Sequence, residues 1–228
     1  MLATADVRRA ARRVAPHVRR TRLVPSAHPG LWLKLENEQV SGAFKARGAA
    51  SALTALSAAQ RAAGVVTHSS GNHGRALGEV GAALGVAVTV VVPDTAMPHK
   101  VQAVRESGAT VVVVPVAQRA SAAGDLVAAG MTFVPPVDHL DVMAGQGTAA
   151  LELLEQAHGA GLSVRRVWAP VGGGGLLSGT AVALAGTGVE VVGVEPALAA
   201  DFAASVAAGE LVAWDVADTV RTLADGLR

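Results

Sequence analysis

The stretch Val167-Trp-Ala-Pro-Val-Gly-Gly-Gly-Gly-Leu-Leu-Ser-Gly-Thr180 decides how this 228-residue chain can fold. An apolar run typical of a buried strand leads into four consecutive glycines, and an apolar helical segment follows. Four glycines cost backbone entropy on folding, so a simple connection would not favour them. They do allow a row of backbone N–H groups to face an anion at the start of a helix. The stretch therefore predicts a strand-to-helix turn that binds phosphate.

Two better-known phosphate loops do not match these glycines. No Gly-Lys-Ser/Thr follows them, which excludes a Walker loop, and the spacing differs from the G-x-G-x-x-G dinucleotide fingerprint. The alternative that stays open at this point is a tight strand-to-helix turn without any ligand.

The same succession of strand, helix and glycine recurs along the chain. Ala-rich stretches with helical spacing separate short Val-rich runs, and Gly85, Gly108 and Gly130 each follow a helical stretch, where C-terminal capping glycines belong. Ser57-Ala-Ala-Gln60 has the capping-box pattern of a helix start. This alternation predicts an α/β fold with a mainly parallel sheet. The predicted strands are Leu31–Leu35, Gly64–Thr67, Val86–Val92, Thr110–Val114, Met131–Val134, Val164–Ala169 and Val189–Val194.

Composition narrows the class of protein. The net charge is +1, which gives no general attraction to nucleic acid or to a membrane surface. Arginines cluster between residues 8 and 22. They indicate the solvated face of a helix, because Val7, Ala11 and Val14 form an apolar stripe at helical spacing. An RNA-binding arm is the alternative. The chain has no cysteine, which excludes disulfides and thiolate chemistry. We expect a cytoplasmic protein, since neither a signal peptide nor a bilayer-spanning run is visible.

Two further segments carry groups suited to chemistry. His68-Ser-Ser-Gly-Asn-His-Gly74 follows a predicted strand and offers hydroxyl, amide and backbone donors to an anion such as a carboxylate. Its alternative reading is an ordinary helix cap made by a serine or Asn72. In Ser41-Gly-Ala-Phe-Lys45 the lysine opens a helix, where the helix dipole disfavours its charged form and favours a nucleophilic amine. A solvated surface lysine is the alternative.

Taken together and in order, these segments resemble the serine/threonine dehydratase and serine racemase family of pyridoxal-phosphate enzymes. The resemblance covers nearly the whole chain. The segments that carry it are Thr21–Leu23, Ser41–Gly48, Ser69–Gly74, Met97–Lys100, Gly108–Ala109, Ala144–Thr148, Gly172–Gly175, Val194–Pro196 and Ala224–Gly226.

The resemblance implies a role for each matching residue. Lys45 would hold the cofactor as a Schiff base and move the α proton of the substrate, and Phe44 would pack beside the pyridine ring. Asn72 would bind the ring hydroxyl. The phosphate would lie on the backbone of Gly172, Gly173, Gly174 and Gly175. The substrate carboxylate would be bound by the loop that contains Ser69, Ser70, Asn72 and His73.

The resemblance also implies the reaction, α,β-elimination from L-serine or L-threonine to a 2-oxo acid and ammonia. Racemases of this family have a serine immediately before Gly-Asn-His, as Ser70 is here, so Ser70 is a candidate acid for serine racemisation. Hydroxyaspartate dehydratase is a further alternative. Glu195, Ala199 and Asp201 match the divalent-cation site of the racemase-like branch, which predicts Mg²⁺ or Ca²⁺, with a solvated loop as the alternative.

The implied architecture is the two-domain tryptophan-synthase-beta-like fold. A large cofactor-binding domain would comprise residues 1–63 and 142–228, and a small domain would be inserted at residues 64–141. Two departures are local: Arg22 replaces a usual proline, and Ala43 replaces a common serine. Family members continue well beyond the Ala224–Gly226 motif, so we expect an incomplete large domain, and a homodimer or a complementary C-terminal chain as partner. An inactive truncated or split-gene product is the alternative to an active enzyme.

Overall fold

The computed structural model describes residues 1–215, 219 and 221–227 and shows an α/β protein. Short 3-10 turns at Glu36–Glu38, Val116–Gln118, Ala197–Ala199 and Asp225–Leu227 complete the regular structure. The helices are α1 (Thr4–Val14), α2 (Lys45–Ala55), α3 (Ala58–Ala63), α4 (Asn72–Leu84), α5 (Pro98–Glu106), α6 (Arg119–Ala128), α7 (Leu140–Gly159), α8 (Gly175–Leu184) and α9 (Asp201–Ala208). The strands are β1 (Leu23–Pro25), β2 (Trp32–Lys34), β3 (Val65–Thr67), β4 (Val88–Pro93), β5 (Thr110–Val114), β6 (Thr132–Phe133), β7 (Arg166–Pro170) and β8 (Glu190–Val194).

The strands form three small sheets. A four-stranded sheet has the order β5-β4-β3-β6, with all neighbours parallel and Val65 paired with both Val88 and Thr132. A second parallel sheet pairs β7 with β8, with Val167 opposite Val191. Strands β1 and β2 form a separate antiparallel hairpin. Parallel pairing in the first two sheets confirms the crossover topology that the sequence predicts.

Helices cover both faces of the four-stranded sheet. Val65, Val88, Val90 and Val92 face a core that includes residues of α2, α4 and α5. On the opposite face, Val66 and Val91 pack with Ala123 of α6. Successive strand residues point to opposite faces, and the Val-rich runs show no alternation because both faces are buried.

The two-stranded sheet is covered on one face only within the described residues. Val167 and Ala169 of β7 are buried against residues of α7 and α8, whereas Trp168 between them is 51% exposed. A groove of about 910 Å³ lies between β2 and β7, and its walls include Trp32, Trp168 and Lys34. Among the described residues, each of these two strands pairs with one neighbour, β2 with β1 and β7 with β8.

Most of the predicted elements are confirmed. Each of the seven predicted strands overlaps an observed strand, and Ser57 caps α3 by accepting a hydrogen bond from the Gln60 N–H at 3.2 Å. Strand β1 was not predicted. Helix α1 buries Val7, Ala10 and Val14, in agreement with the predicted amphipathic helix. No helix in the described ranges is both long and apolar enough to span a membrane.

The predicted domain boundaries stay a prediction. Strands β3 to β6 all come from residues 65–133, within the predicted inserted domain, and β7 and β8 lie outside it. Arg228, the last residue of the predicted large domain, lies outside the described residues.

Candidate active site

The candidate site lies where parallel strands end and helices begin. Strand β3 leads through His68–Gly71 into α4, and β6 leads through Val134–His139 into α7. Strand β7 leads into α8 through the four glycines Gly172–Gly175, which we call the glycine loop. Ligands of open α/β folds bind at this carboxyl end of the strands. Two of the three segments singled out in the sequence, His68–Gly74 and the four glycines, are thus placed by the topology of the fold, and the third contributes Lys45 at the start of α2.

Lys45 is the first residue of α2 and is half-buried. Its Nζ donates a hydrogen bond to the Pro136 carbonyl at 2.9 Å and lies 5.4 Å from the centre of the Phe44 ring. Burial lowers the pKa of the Lys45 amine to about 8. The sequence pattern attributes such a shift to the helix dipole, but loss of hydration is the cause found here. The alternative interpretation of Lys45 as a solvated surface lysine is therefore wrong. The lowered pKa makes the neutral, nucleophilic form of the amine easier to reach.

The glycine loop presents free backbone donors. The N–H groups of residues 172–177 have no hydrogen-bond acceptor among the described residues, and the first intrahelical bond runs from Ser178 N–H to Gly174 O at 2.8 Å. Gly174 caps α8 in the left-handed conformation, with φ of 76°, and offers no side-chain cap. An anion fits such a set of donors at a helix N-terminus. A phosphate group would therefore bind here through backbone N–H groups alone.

A segment that the sequence reasoning missed joins the lysine to the glycine loop. Pro136 accepts the hydrogen bond from Lys45, and a Cβ built on Gly173 would lie 2.2 Å from Cγ1 of the next residue, Val137. The Nε2 of His73 donates to the carbonyl of Val134 at 3.1 Å. Residues 134–137 thus contact all three predicted site segments. The only signal in the sequence is their position directly after a predicted parallel strand.

The segment His68–Gly74, which we call the serine loop, also offers unpaired donors. Gly71 caps α4, so the alternative in which a serine or Asn72 makes the cap is wrong. The backbone N–H groups of residues 72–74 have no acceptor among the described residues. Ser69 Oγ accepts a long hydrogen bond from Gly71 N–H at 3.4 Å, and the half-buried Ser70 makes no side-chain hydrogen bond in the described structure. Asn72 is exposed. These groups suit a carboxylate.

The His73 side chain is placed differently from its neighbours. It is 2% exposed, and burial lowers the pKa of the imidazole to about 3, so it is neutral at physiological pH. Its Nε2–H is engaged by Val134, which leaves Nδ1 buried without a partner. Thr67 Oγ1 and His139 Nδ1 are buried and unpartnered as well. Only the backbone N–H of His73 is open to a ligand in this arrangement.

Helix α7 fixes the distance between the lysine and the glycine loop. A Cβ on Gly145 would lie 2.4 Å from the Arg47 carbonyl of α2, and one on Gly147 would lie 2.4 Å from the Gly179 carbonyl of α8. The backbones of α2 and α8 therefore contact α7 directly at two glycines of the Ala144–Thr148 motif. That motif, which the sequence left without a role, sets the relative position of the two helices that begin at the site.

One of the three predicted cation ligands, Glu195, caps helix α9. Both carboxylate oxygens of Glu195 accept backbone N–H groups at the start of α9, from Phe202 at 3.2 Å and from Ala203 at 2.8 Å. Asp201 is the first residue of that helix, and Ala199 is buried in the preceding 3-10 turn. Among the described residues, no group of three or more His, Cys, Asp or Glu side chains could hold a metal ion.

Comparisons with known proteins identify the family of this chain. Residues 14–228 match the family described as pyridoxal-phosphate dependent enzyme. The chain is 40% identical to an L-threo-3-hydroxyaspartate ammonia-lyase from Pseudomonas sp, over 97% of this chain and 70% of that protein. It is 40% identical to a serine racemase from Schizosaccharomyces pombe, over 86% of this chain and 60% of that protein.

Solved structures show the same fold. The serine racemase of Dictyostelium discoideum superimposes with a TM-score of 0.91 at 36% identity, covering 99% of this chain and 74% of that one. The threonine deaminase of T.th. gives a TM-score of 0.91 at 39% identity, with the same coverage. The α/β, tryptophan-synthase-beta-like fold is thereby confirmed. Because the family model matches residues 14–228, the chain belongs to the pyridoxal-phosphate dependent enzyme family.

Proposed function

We propose that this chain converts L-serine or L-threonine to a 2-oxo acid and ammonia with pyridoxal phosphate as cofactor. One observation carries the proposal: residues 134–137 contact both the Lys45 amine and the glycine loop. A single small molecule with an aldehyde at one end and a phosphate at the other fits such a site, since it needs an amine and an anion cradle close together.

Different residues would bind the cofactor, bind the substrate and move the proton. Backbone N–H groups of residues 172–177 hold the phosphate, and the free N–H groups of residues 72–74 bind the substrate carboxylate. Asn72 would hydrogen-bond the ring hydroxyl of the cofactor, and Phe44 would pack beside its ring. When bound, the cofactor withdraws electrons from the α carbon of the substrate. The Lys45 amine, whose pKa of about 8 makes its neutral form available near neutral pH, would take the α proton. The β hydroxyl would leave as water, and a second water would replace the amino group to give the 2-oxo acid and ammonium.

The experiment combines cofactor binding with product analysis. Purified protein and a Lys45→Ala variant are mixed with pyridoxal phosphate and followed by visible absorption, and then L-serine, L-threonine or L-threo-3-hydroxyaspartate is added. We expect a Lys45-dependent absorption band and 2-oxo acid from L-serine or L-threonine. If only hydroxyaspartate gives product, hydroxyaspartate and not serine or threonine is the substrate. Two relatives with 40% identity are named for activity on that compound. A wild-type protein without a band would refute cofactor binding by this chain.

Serine racemisation is a second candidate, favoured by the free hydroxyl of Ser70. A proton donor on the side of the substrate opposite Lys45 is what inversion requires, and Ser70 has no competing side-chain hydrogen bond in the described structure. D-serine should then form from L-serine, and Ser70→Ala should abolish this product while 2-oxo acid formation persists. Absence of D-serine with the wild-type protein would exclude racemisation.

A divalent cation at Glu195, Ala199 and Asp201 is also proposed, with Mg²⁺ or Ca²⁺ as the ion. The Glu195 carboxylate would have to share its oxygens between the cation and the N–H groups of α9. Thermal unfolding with and without Ca²⁺, repeated on Asp201→Asn, tests this arrangement. A Ca²⁺-dependent rise in melting temperature that Asp201→Asn removes supports the site, and equal melting temperatures refute it.

A further inference from the structure

A ring of charged and polar groups lies directly against α2. Lys34 Nζ donates to Glu152 at 2.8 Å and to the Thr21 carbonyl at 2.9 Å, and Thr21 Oγ1 donates to Glu36 at 2.6 Å. Arg47 closes the ring because it binds both Glu36 and Glu152. Two cations and two carboxylates make the ring neutral. The proposed reaction uses none of these side chains.

The guanidinium of Arg47 is the centre of this ring. It is fully buried, and it binds each carboxylate through two N–H groups, Glu36 at 2.7 and 2.8 Å and Glu152 at 2.8 and 2.8 Å. Nη1 also donates to Thr148 Oγ1 at 3.2 Å. Only arginine can bind two carboxylates by such paired contacts, since a lysine ammonium is a point charge. The identity of the residue is therefore required by the geometry.

The ring affects the site because Arg47 lies on the same helix turn as Lys45. The two residues share the first turn of α2 and are separated by about 200° around the helix axis, because each residue advances about 100°. Lys45 consequently faces the site while Arg47 faces the ring. The partners of Arg47 come from the turn after β2 and from α7. The ring thus fixes the rotation of α2 about its axis against two neighbouring elements.

We propose that Arg47 is a positioning residue, whose paired contacts to Glu36 and Glu152 hold the Lys45 amine in its buried place beside the Pro136 carbonyl. The importance of Arg47 for catalysis rests on the proposed function, but its effect on the position of the Lys45 amine is independent of that function. Buried ion pairs often add little net stability, so the role of these pairs is better explained by the geometry that they impose on α2.

The test measures Lys45 itself, without cofactor. Lys45 is one of three lysines, so its pH-dependent acetylation by trace acetic anhydride can be followed by peptide mass spectrometry. In the wild-type chain the titration midpoint is expected near the pKa of about 8. In Arg47→Lys the amine should become more hydrated and titrate closer to the ordinary lysine pKa of about 10.4. Covalent attachment of pyridoxal phosphate should slow by roughly 10- to 100-fold, as misplacement of a reacting group by about 1 Å does.

Arg61→Lys is the matched control. Arg61 binds the opposite end of α2, where it donates to the Thr54 carbonyl at 2.9 Å and the Leu56 carbonyl at 3.2 Å. If both variants lower the melting temperature and neither moves the Lys45 titration, Arg47 only supports the fold and the proposal is refuted. Glu36→Gln, which keeps the shape of the ring, should shift the titration in the same direction by less, even if Arg47→Lys does not fold. An unshifted Glu36→Gln would then refute the proposal.

These outcomes are separable from failure of the proposed function. A wild-type chain that never binds pyridoxal phosphate, yet loses its lowered Lys45 pKa in Arg47→Lys, would refute the enzyme and retain the positioning role.

Discussion

At the level of single residues, burial controls the ionisation of two basic groups of the site. It lowers the pKa of Lys45 to about 8 and that of His73 to about 3. Both groups therefore release their protons more easily than exposed counterparts do. For Lys45 the consequence is reactivity at moderate pH, and for His73 it is a cost in stability when the solution becomes acidic.

The pH dependence of stability should carry the signature of His73. Its folded pKa lies below its ordinary value of 6.5, so the unfolded chain takes up a proton first as the pH falls. Stability from this group is complete above about pH 6.5 and declines below it, by about 1.4 kcal/mol per pH unit. His73→Gln should keep the hydrogen bond to Val134 and reduce this slope.

Urea unfolding of both proteins at several values between about pH 7 and pH 5 measures the difference, because carboxylate titrations affect both alike. Equal slopes in the two proteins would show that His73 is not neutral in the folded state.

At the level of elements, close backbone contacts bring α2, α7 and α8 together. Gly147→Ala would place a methyl group 2.4 Å from the Gly179 carbonyl, which a helix backbone cannot avoid locally. We expect a loss of stability of about 1–3 kcal/mol or more from overpacking. Gly124→Ala in α6 is the control, because its Cβ would meet no atom within 4 Å. Gly124→Ala should be stabilising by roughly 0.5–1 kcal/mol. Calorimetry measures the melting temperatures of both variants, and an unchanged stability of Gly147→Ala would show that α7 and α8 are not in direct backbone contact.

The glycine loop allows a test on cofactor affinity. An alanine at Gly173 would lie 2.2 Å from Val137 Cγ1, so the loop must move and its N–H groups lose their common direction. Gly173→Ala should weaken binding of pyridoxal phosphate at least tenfold in an absorbance titration. Val137→Ala in the same chain removes the clashing methyl groups and should restore most of the affinity. If the double variant binds as weakly as the single one, contact with residues 134–137 is not what shapes the loop.

Local patterns in the sequence predicted most elements, because buried strands, capping residues and glycine turns depend on neighbours in the chain. Strand β1 was missed because Leu23 and Val24 are followed directly by Pro25, so the segment shows no continuous apolar run, and its pairing with β2 depends on a hairpin partner rather than on its own pattern. The site was predicted at Lys45 and the glycine loop. Residues 134–137 and the Arg47 ring were not, since their contacts join positions up to about a hundred residues apart.

At the level of the whole molecule, one face of the β7–β8 sheet is left uncovered by the residues that the structure describes. Trp168 is 51% exposed and Val194 is 49% exposed on this sheet. Parallel sheets are normally covered on both faces, and exposed strand edges promote association. A homodimer or a complementary chain therefore stays our prediction for what the protein binds.

Self-association should depend on this face. We expect the average mass of the wild-type protein in sedimentation equilibrium to rise with concentration, and Trp168→Lys to suppress the rise by placing a charge on the sheet. Val206→Lys on α9 is the control, since Val206 is 68% exposed but belongs to a helix and not to the β7–β8 sheet. Equal suppression by both variants would show that general solubility, and not this sheet, governs association.

The two walls of the groove between β2 and β7 each contain a tryptophan, Trp32 and Trp168, and the chain has three in all. Ultraviolet emission from this protein is consequently concentrated on one surface. A chain segment that enters the groove would exclude water from both indoles and move their emission to shorter wavelength. With Trp214→Phe removing the third emitter, the protein would report occupancy of its own groove without any added dye.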